Sequence, residues 1–331
     1  MPKLKFAIVG FGKMGQIRYK TLSAMEGCEV VCICEPDDRI LIPEGLENTK
    51  NVDDVFKRDD VDAVIVATPN NYIKDYVVKG LNSGKHVFSE KPPGRNILEI
   101  NEMIKAEESN PKCKLMFGFN HRHHESMLHA KKLIDSKKYG RILWMRGRYG
   151  KSVDEAFFNN WRSKKELAGG GIFLDQGIHM LDLFLMFCGD FQEVKSFVSN
   201  CYWNLNIEDN VFAMFRNDQG QVASLHSTMT QWRHIFSLEI FLEQGYITIN
   251  GLKTSTNSYG DEAMTIAHNR TKPPEASWTE EENINFHTDY SWEKELTVFL
   301  ESIRGNKPVP LGNSQDALKL MKLVEKVYQQ Y

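Results

Sequence analysis

Gly10-Phe11-Gly12-Lys13-Met14-Gly15, entered from the apolar run Lys5-Phe6-Ala7-Ile8-Val9, is the stretch that decides the fold. A buried strand that breaks into Gly-x-Gly-x-x-Gly and continues as a helix, here Lys13 to Met25, is suited to a dinucleotide. The first glycine permits the tight turn, the second lets a pyrophosphate approach the backbone, and the third lets helix and strand pack closely. Amides at the helix N-terminus then face the anion, so Gly10, Phe11, Gly12, Lys13, Met14 and Gly15 are candidate cofactor contacts. The next strand, Glu29-Val30-Val31-Cys32-Ile33-Cys34, ends at Glu35, 20 residues past Gly15. A carboxylate there accepts hydrogen bonds from the adenosine ribose hydroxyls and repels a 2′-phosphate, which favours NAD over NADP. Arg39 pulls the other way. A glycine turn followed by a chance acid is the plain alternative.

Outward from this turn, apolar runs alternate with helical stretches: Ala63–Ala67, a helix from Lys74 to Ser83, Lys85–Phe88, a helix from Ile97 to Glu108, and Lys114–Gly118. Strands apolar throughout and separated by helices imply a parallel, doubly wound sheet covered on both faces, a Rossmann domain over residues 1–120. After a helix from about Glu125 to Ser136 the pattern changes to strands: Ile142–Tyr149, Val194–Tyr202, Val211–Phe215, Val222–Met229, Phe236–Leu242 and Tyr246–Ile249. Residues 121–331 thus read as an α+β domain on an antiparallel, open sheet. Residues 252–285, with Lys272-Pro273-Pro274, read as a long polar loop, and Tyr290–Arg304 and Ser314–Gln330 as closing helices.

The 331 residues carry 41 Lys+Arg against 44 Asp+Glu, 41% hydrophobic and 26% charged residues, an ordinary globular composition with no basic excess to draw nucleic acid. No run approaches 18 uninterrupted apolar residues, and Met1-Pro2-Lys3-Leu4-Lys5 lacks a signal peptide's apolar core; neither a membrane span nor a leader is expected. The six cysteines form no CxxC or zinc-like spacing, which fits free thiols and a cytoplasmic protein.

Three further segments carry chemistry. Gly169-Gly170-Gly171 precedes Ile172-Phe173-Leu174-Asp175-Gln176-Gly177-Ile178-His179-Met180-Leu181-Asp182. Read as a helix, Asp175 and His179 are neighbours at i, i+4, and a carboxylate beside an imidazole suits general acid–base work. A capping aspartate and a half-buried structural histidine are the alternative. Lys91, in Ser89-Glu90-Lys91-Pro92-Pro93, follows a strand of the parallel sheet, where ligands sit; spacing alone favours a surface lysine. Arg146, Arg148, Lys151, Arg162, Lys164 and Lys165 flank the glycine triplet, either as a solvated rim or as contacts to a phosphate-bearing substrate such as a nucleotide-linked sugar.

Taken with Thr68-Pro69-Asn70, Gly84-Lys85-His86-Val87, Glu90-Lys91-Pro92 and Asn120 with Arg122, these segments resemble the glucose–fructose and inositol dehydrogenases (the Gfo/Idh/MocA family) over essentially the whole chain. The resemblance implies Lys91 as catalytic lysine and Asp175 with His179 as the Asp-x-x-x-His pair, the histidine being the acid–base. It also implies Thr68, Pro69, Asn70, Glu90 and Lys91 as cofactor contacts. Asn120, Arg122, Arg148, Trp161 and Arg162 then join Lys91, Asp175 and His179 as substrate contacts. Ile73 and Glu125 stand where the family often has His and Pro. The implied reaction is oxidation of a secondary alcohol, or reduction of the ketone, on a sugar or a cyclitol; the cationic residues around the glycine triplet make a nucleotide-linked sugar of surface polysaccharide metabolism the specific expectation. The implied assembly is a homodimer or homotetramer through the open sheet. No metal is expected: similar proteins work without one, and His121, His123 and His124 point in different directions if helical. An NAD-binding sensor without turnover and a reductase of a non-sugar carbonyl (Phe157, Phe158 and Trp161 being nearby) are the rival readings.

Overall fold

The computed structural model of the chain describes residues 3–268 and 277–330; Met1-Pro2 and Lys272-Pro273-Pro274 lie outside the described residues. Two compact units result. The first comprises Met1–Asn120, Glu166–Gly169 and Trp292–Met321, and the second His121–Lys165, Gly170–Ser291 and Lys322–Tyr331. The sequence places the boundary after Asn120 with all of 121–331 beyond it; the first unit also takes in Glu166–Gly169 and Trp292–Met321.

In the first unit β1 (Leu4–Val9), β2 (Cys28–Cys34), β3 (Glu47–Thr49), β4 (Ala63–Val66), β5 (His86–Glu90) and β6 (Leu115–Gly118) form a parallel sheet in the order β3-β2-β1-β4-β5-β6. Its helices are α1 (Lys13–Ala24), α2 (Val52–Phe56), α3 (Asn70–Asn82) and α4 (Ile97–Ser109). Every residue of β4 and β6 is buried, as strands covered on both faces must be. β3, three polar residues, carries no apolar run by which it could be read. The chain order reverses beside β1, and the ends of β1 and β4 open the crevice where such sheets bind ligands.

The second unit holds α5 (Glu125–Asp135) and β7 (Ile142–Ser152); α6 (Lys165–Ala168) lies almost wholly in the first. A π-helical turn, Phe173–Gly177, leads into α7 (Ile178–Cys188). There follow β8 (Glu193–Ser199), β9 (Asn210–Arg216), β10 (Val222–Thr228), β11 (Thr230–Leu242), β12 (Gly245–Asn250), β13 (Glu262–His268) and β14 (Glu282–Phe286), then α8 (Ser291–Arg304) and α9 (Ser314–Tyr328). From α8, Leu296, Phe299 and Leu300 join Phe6, Ile8 and Phe88 in one apolar cluster, which is why this late helix belongs to the first unit.

The second sheet has the order β14-β13-β12-β11-β7-β10-β9-β8, antiparallel except for β7 with β10. β13 and β14 occupy the stretch read as loop. β14 is an edge strand with Glu282, Asn283 and Asn285 in place of an apolar alternation, the usual way a sheet edge is kept soluble and the reason it escapes a hydrophobicity pattern. Along β7, Met145, Gly147 and Tyr149 are buried while Trp144, Arg146 and Arg148 are exposed. A Cβ on Gly147 would lie 2.5 Å from Met180, so α7 packs on that buried face. The other face leaves Phe197, Phe212 and Met214 half-exposed or more. Lys165–Cys188 is long and apolar enough to cross a membrane by composition, yet most of it is buried in the protein, as in a core helix. All six cysteines are free thiols, and burial pushes Cys34 and Cys188 up to about 12.

Candidate active site

The glycine turn is shaped by its own backbone and open where a ligand would lie. Gly10 has φ +88, and a Cβ there would sit 2.6 Å from the Ala67 carbonyl oxygen; one on Gly15 would sit 2.1 Å from that of Gly10. Around Gly12 nothing lies within 4 Å of the added carbon. Two of the three glycines therefore serve turn and packing, and the middle one leaves space for a pyrophosphate at the start of α1. Thr68 sets its methyl group beside Gly10, and its hydroxyl is buried without a hydrogen-bond partner among the described residues. These features fit a dinucleotide.

Glu35 accepts hydrogen bonds from the amides of Phe11 (2.7 Å) and Asp37 (2.9 Å), which aim its carboxylate over the turn. Arg39 is held by Asp37 through a bidentate pair, 2.8 and 2.7 Å, and that guanidinium keeps the Asp37 carboxyl down at about 2. The cation that argued for a 2′-phosphate thus already has an anion. Asn70 opens α3 after Thr68 and Pro69, and its amide donates to the Ala168 carbonyl (2.8 Å), a structural bond. Ile73, at the family's frequent histidine position, is a fully buried core residue.

Glu90 needs reassignment. It is buried, and Arg18 Nε of α1 donates to it at 2.6 Å; Arg18 also pairs with Glu295 of α8 at 2.7 Å and lies over the Phe88 and Trp292 rings. A carboxylate so committed is a support for the end of β5 rather than a cofactor ligand. Lys91 follows directly, half-buried, with a cis bond to Pro92. A Cβ on Gly118 would meet Arg18 Nη2 at 2.9 Å, so the cation also dictates that glycine.

In the second unit the glycine triplet serves the protein itself, not a ligand. A Cβ on Gly170 would lie 2.2 Å from the Tyr328 hydroxyl, and one on Gly171 2.1 Å from the Glu208 carbonyl; in the first unit, Gly169 (φ +84) faces Arg95. Buried Glu208 accepts from the amides of Gly171 (2.8 Å) and Phe173 (3.0 Å) and from the Tyr328 hydroxyl (2.8 Å), capping the helical segment that follows. Burial pushes the Glu208 carboxyl upward. That segment starts as a π turn, not the α-helix expected, a feature common at functional sites. Gly177 is required inside it, since a Cβ would meet the Phe173 ring at 2.7 Å and Ser227 at 2.9 Å.

Asp175 bonds Lys151 and lies 3.5 Å from Arg162 Nε. Arg162 in turn lies over the Trp161 ring. His179 is buried, and its ring stacks on His121 with centroids 3.9 Å apart and 18° between planes. His121 bonds the Tyr149 hydroxyl at 2.8 Å. The sequence brings up His121 only as a metal candidate with His123 and His124, and offers no role for Tyr149, Tyr259, Glu208 or Tyr328; the one available signal was the alternation that sets Tyr149 with Met145 and Gly147 along β7.

Two groups assigned to substrate belong elsewhere. Arg122 makes a buried bidentate pair with Asp182, 2.7 and 2.5 Å, so its guanidinium fork is filled by the protein. Arg146 and Arg148 stand on the face of the sheet opposite α7, Arg146 paired with Glu239, and do not converge on His179. Lys164 and Lys165 are exposed. Asn120 is buried in the 3₁₀ turn Asn120–His123. His124 bonds Glu262 (2.8 Å), and among the described residues no group of three or more His, Cys, Asp or Glu is placed to hold a metal.

Residues 4–119 match the oxidoreductase family with an NAD-binding Rossmann fold, and residues 127–248 its C-terminal domain, named GFO/IDH/MocA. The 2,7-anhydro-N-acetylneuraminate hydratase of Escherichia coli is 26% identical over 267 residues, 76% of this chain and 66% of that protein. Levoglucosan dehydrogenase of Pseudarthrobacter phenanthrenivorans is 27% identical over 236 residues, 62% of this chain and 60% of that protein. The chain thus spans less than two thirds of these relatives' own length. A solved structure of levoglucosan dehydrogenase with NADH and levoglucosan superposes with a TM-score of 0.85 over 99% of this chain and 97% of that one, at 22% identity, a likeness of fold.

Proposed function

The chain belongs to the GFO/IDH/MocA oxidoreductases, and from that premise we propose an NAD-dependent dehydrogenase that interconverts a secondary alcohol and a ketone on a sugar or cyclitol. The observation that carries this reading is the turn from Gly10 to Gly15, open at Gly12, flanked by Thr68 with its orphaned hydroxyl and overhung by Glu35. The activities named for the two relatives, on levoglucosan and on an anhydro sialic acid, support a carbohydrate substrate. NAD, when bound, supplies the hydride acceptor or donor. The turn holds its pyrophosphate and Glu35 its adenosine ribose. His179 takes the proton of the reacting hydroxyl, and Lys91 hydrogen-bonds the same oxygen as negative charge develops on it. Asp175, fixed between Lys151 and Arg162, is available to a neighbouring hydroxyl. A nucleotide-linked sugar has lost most of its support, because Arg146 and Arg148 face away and Lys151 and Arg162 are both engaged by Asp175.

Turnover across free aldoses, levoglucosan, inositols and UDP- and GDP-linked sugars, followed by NADH formation and product mass, tests the reading. Oxidation of at least one free carbohydrate, with no gain from a nucleotide, is the supporting result. NAD binding with no turnover on any of them would overturn it in favour of a sensor. The Glu35 assignment has its own check by titration. Glu35→Ser should weaken NAD about 10–100-fold, the scale of a charge-assisted hydrogen bond worth roughly 1.5–3 kcal/mol, and improve NADP. Tighter binding of NADP than of NAD by the unaltered protein would contradict it. The exposed sheet face with Phe197, Phe212 and Met214 is where we place a homo-oligomer contact; a monomer in sedimentation would remove that assignment.

A further inference from the structure

The buried side of β7 carries a hydrogen-bond chain whose direction can be worked out from its far end. Gln176 Oε1 is a carbonyl oxygen and accepts from the Tyr259 hydroxyl at 3.0 Å. With its proton used there, Tyr259 turns only lone pairs towards Tyr149, whose ring packs against it with centroids 5.3 Å apart, so Tyr149 is the member of that pair able to donate. Tyr149, its own proton used in turn, accepts from His121 Nε2 at 2.8 Å. The polarity runs from His121 through Tyr149 and Tyr259 to Gln176, and it leaves His121 with its proton on Nε2. Burial raises Tyr149 well above the usual phenol range and Tyr259 above it too, so both keep their protons near neutrality.

Gln176 lies in the π turn that leads to His179, so the chain leaves this helical segment and returns to it through the stacked pair of His121 and His179. We propose that His121 is a positioning residue for His179: the hydroxyl chain fixes the plane and tautomer of His121, and the stack fixes the plane of His179. This rests on the acid–base role read for His179 above. A general base must present its nitrogen within hydrogen-bond reach of the substrate proton, and an imidazole free to turn about its ring bond does so only part of the time.

Two substitutions separate a stacking plate from a chemical group. His121→Ala should lower kcat roughly 10- to 100-fold, the scale of lost orientation, with KM changed by no more than about twofold. His121→Phe, which keeps a flat ring, should recover most of that loss. If His121→Phe is as slow as His121→Ala, or if His121→Ala is as fast as the parent, the proposal fails. Nuclear magnetic resonance on isotope-labelled histidine gives a readout independent of turnover. It should find His121 as the Nε2–H tautomer, lose that tautomer's dominance in Tyr149→Phe, and show altered His179 ring signals in His121→Ala. A parent His121 carrying its proton on Nδ1, or His179 signals unmoved by His121→Ala, overturns the proposal even if the dehydrogenase reading holds. Correct signals in a protein without turnover would instead place the error in that reading.

Discussion

His179→Ala should cut kcat about 10²- to 10⁴-fold, the usual scale for loss of a positioned acid–base group. The His179 imidazole is buried and held by its neighbours, so water is poorly placed to replace it. NAD affinity should stay within about twofold, because the histidine is assigned no part in holding the pyrophosphate or the adenosine ribose. Lys91→Ala should show a fall of the same order in kcat, for a different reason. The developing oxyanion loses a charged hydrogen-bond donor, a loss worth several kcal/mol at comparable sites. Steady-state kinetics with a substrate found in the panel, together with NADH titration, checks both variants. Near-normal turnover of His179→Ala would move the acid–base role to another group.

Arg18→Met should destabilise the first unit by about 3–5 kcal/mol, as expected when one partner of a buried ion network is removed. Arg18 has no exposed surface and is the cation between Glu90 and Glu295, whose side chains are 7% and 0% exposed. Methionine fills a similar volume but leaves both carboxylates buried without their cation. In the variant burial disfavours the charged form of both carboxyls. Its deficit is therefore largest at neutral pH and shrinks as pH falls towards the unfolded carboxyl range, where protonation neutralises them. Urea unfolding at two pH values measures this, and adding Glu295→Gln should restore part of the loss at neutral pH. A loss under about 1 kcal/mol would mean that water reaches the pair and that Arg18 is not what supports the strand end before Lys91.

The first unit was legible because its signals are local. Gly10, Gly12 and Gly15 lie within one turn, and the acid that completes the pattern ends the very next strand. Phe6–Val9 of β1, with β4 and β6, are continuous apolar runs, which only a sheet covered on both faces accommodates. β14 and the π turn were not legible. The edge strand is polar because solvent meets it, and the wider turn depends on Gly177 fitting against Phe173 and Ser227, which is tertiary contact. The glycine triplet was visible as a sequence feature but its reason was not. Space for a ligand and space for Tyr328 and Glu208 call for the same residue.

By itself, then, the sequence determined the parallel sheet, the dinucleotide turn, the carboxylate over it and the helix bearing His179. In each case the physics acts between residues near in the chain or repeated at a fixed period. Tertiary structure alone decided which charges are free and which are spent. Arg122 is closed by Asp182 and Arg18 by Glu90, partners 60 and 72 residues away. Arg146 and Arg148 share a face, as their spacing requires, but only the packing of α7 decides that it is the wrong one. His179 likewise has its stacking partner 58 positions back, at His121. A charge or an imidazole takes its function from what lies within a few ångströms of it, and no local periodicity encodes that distance.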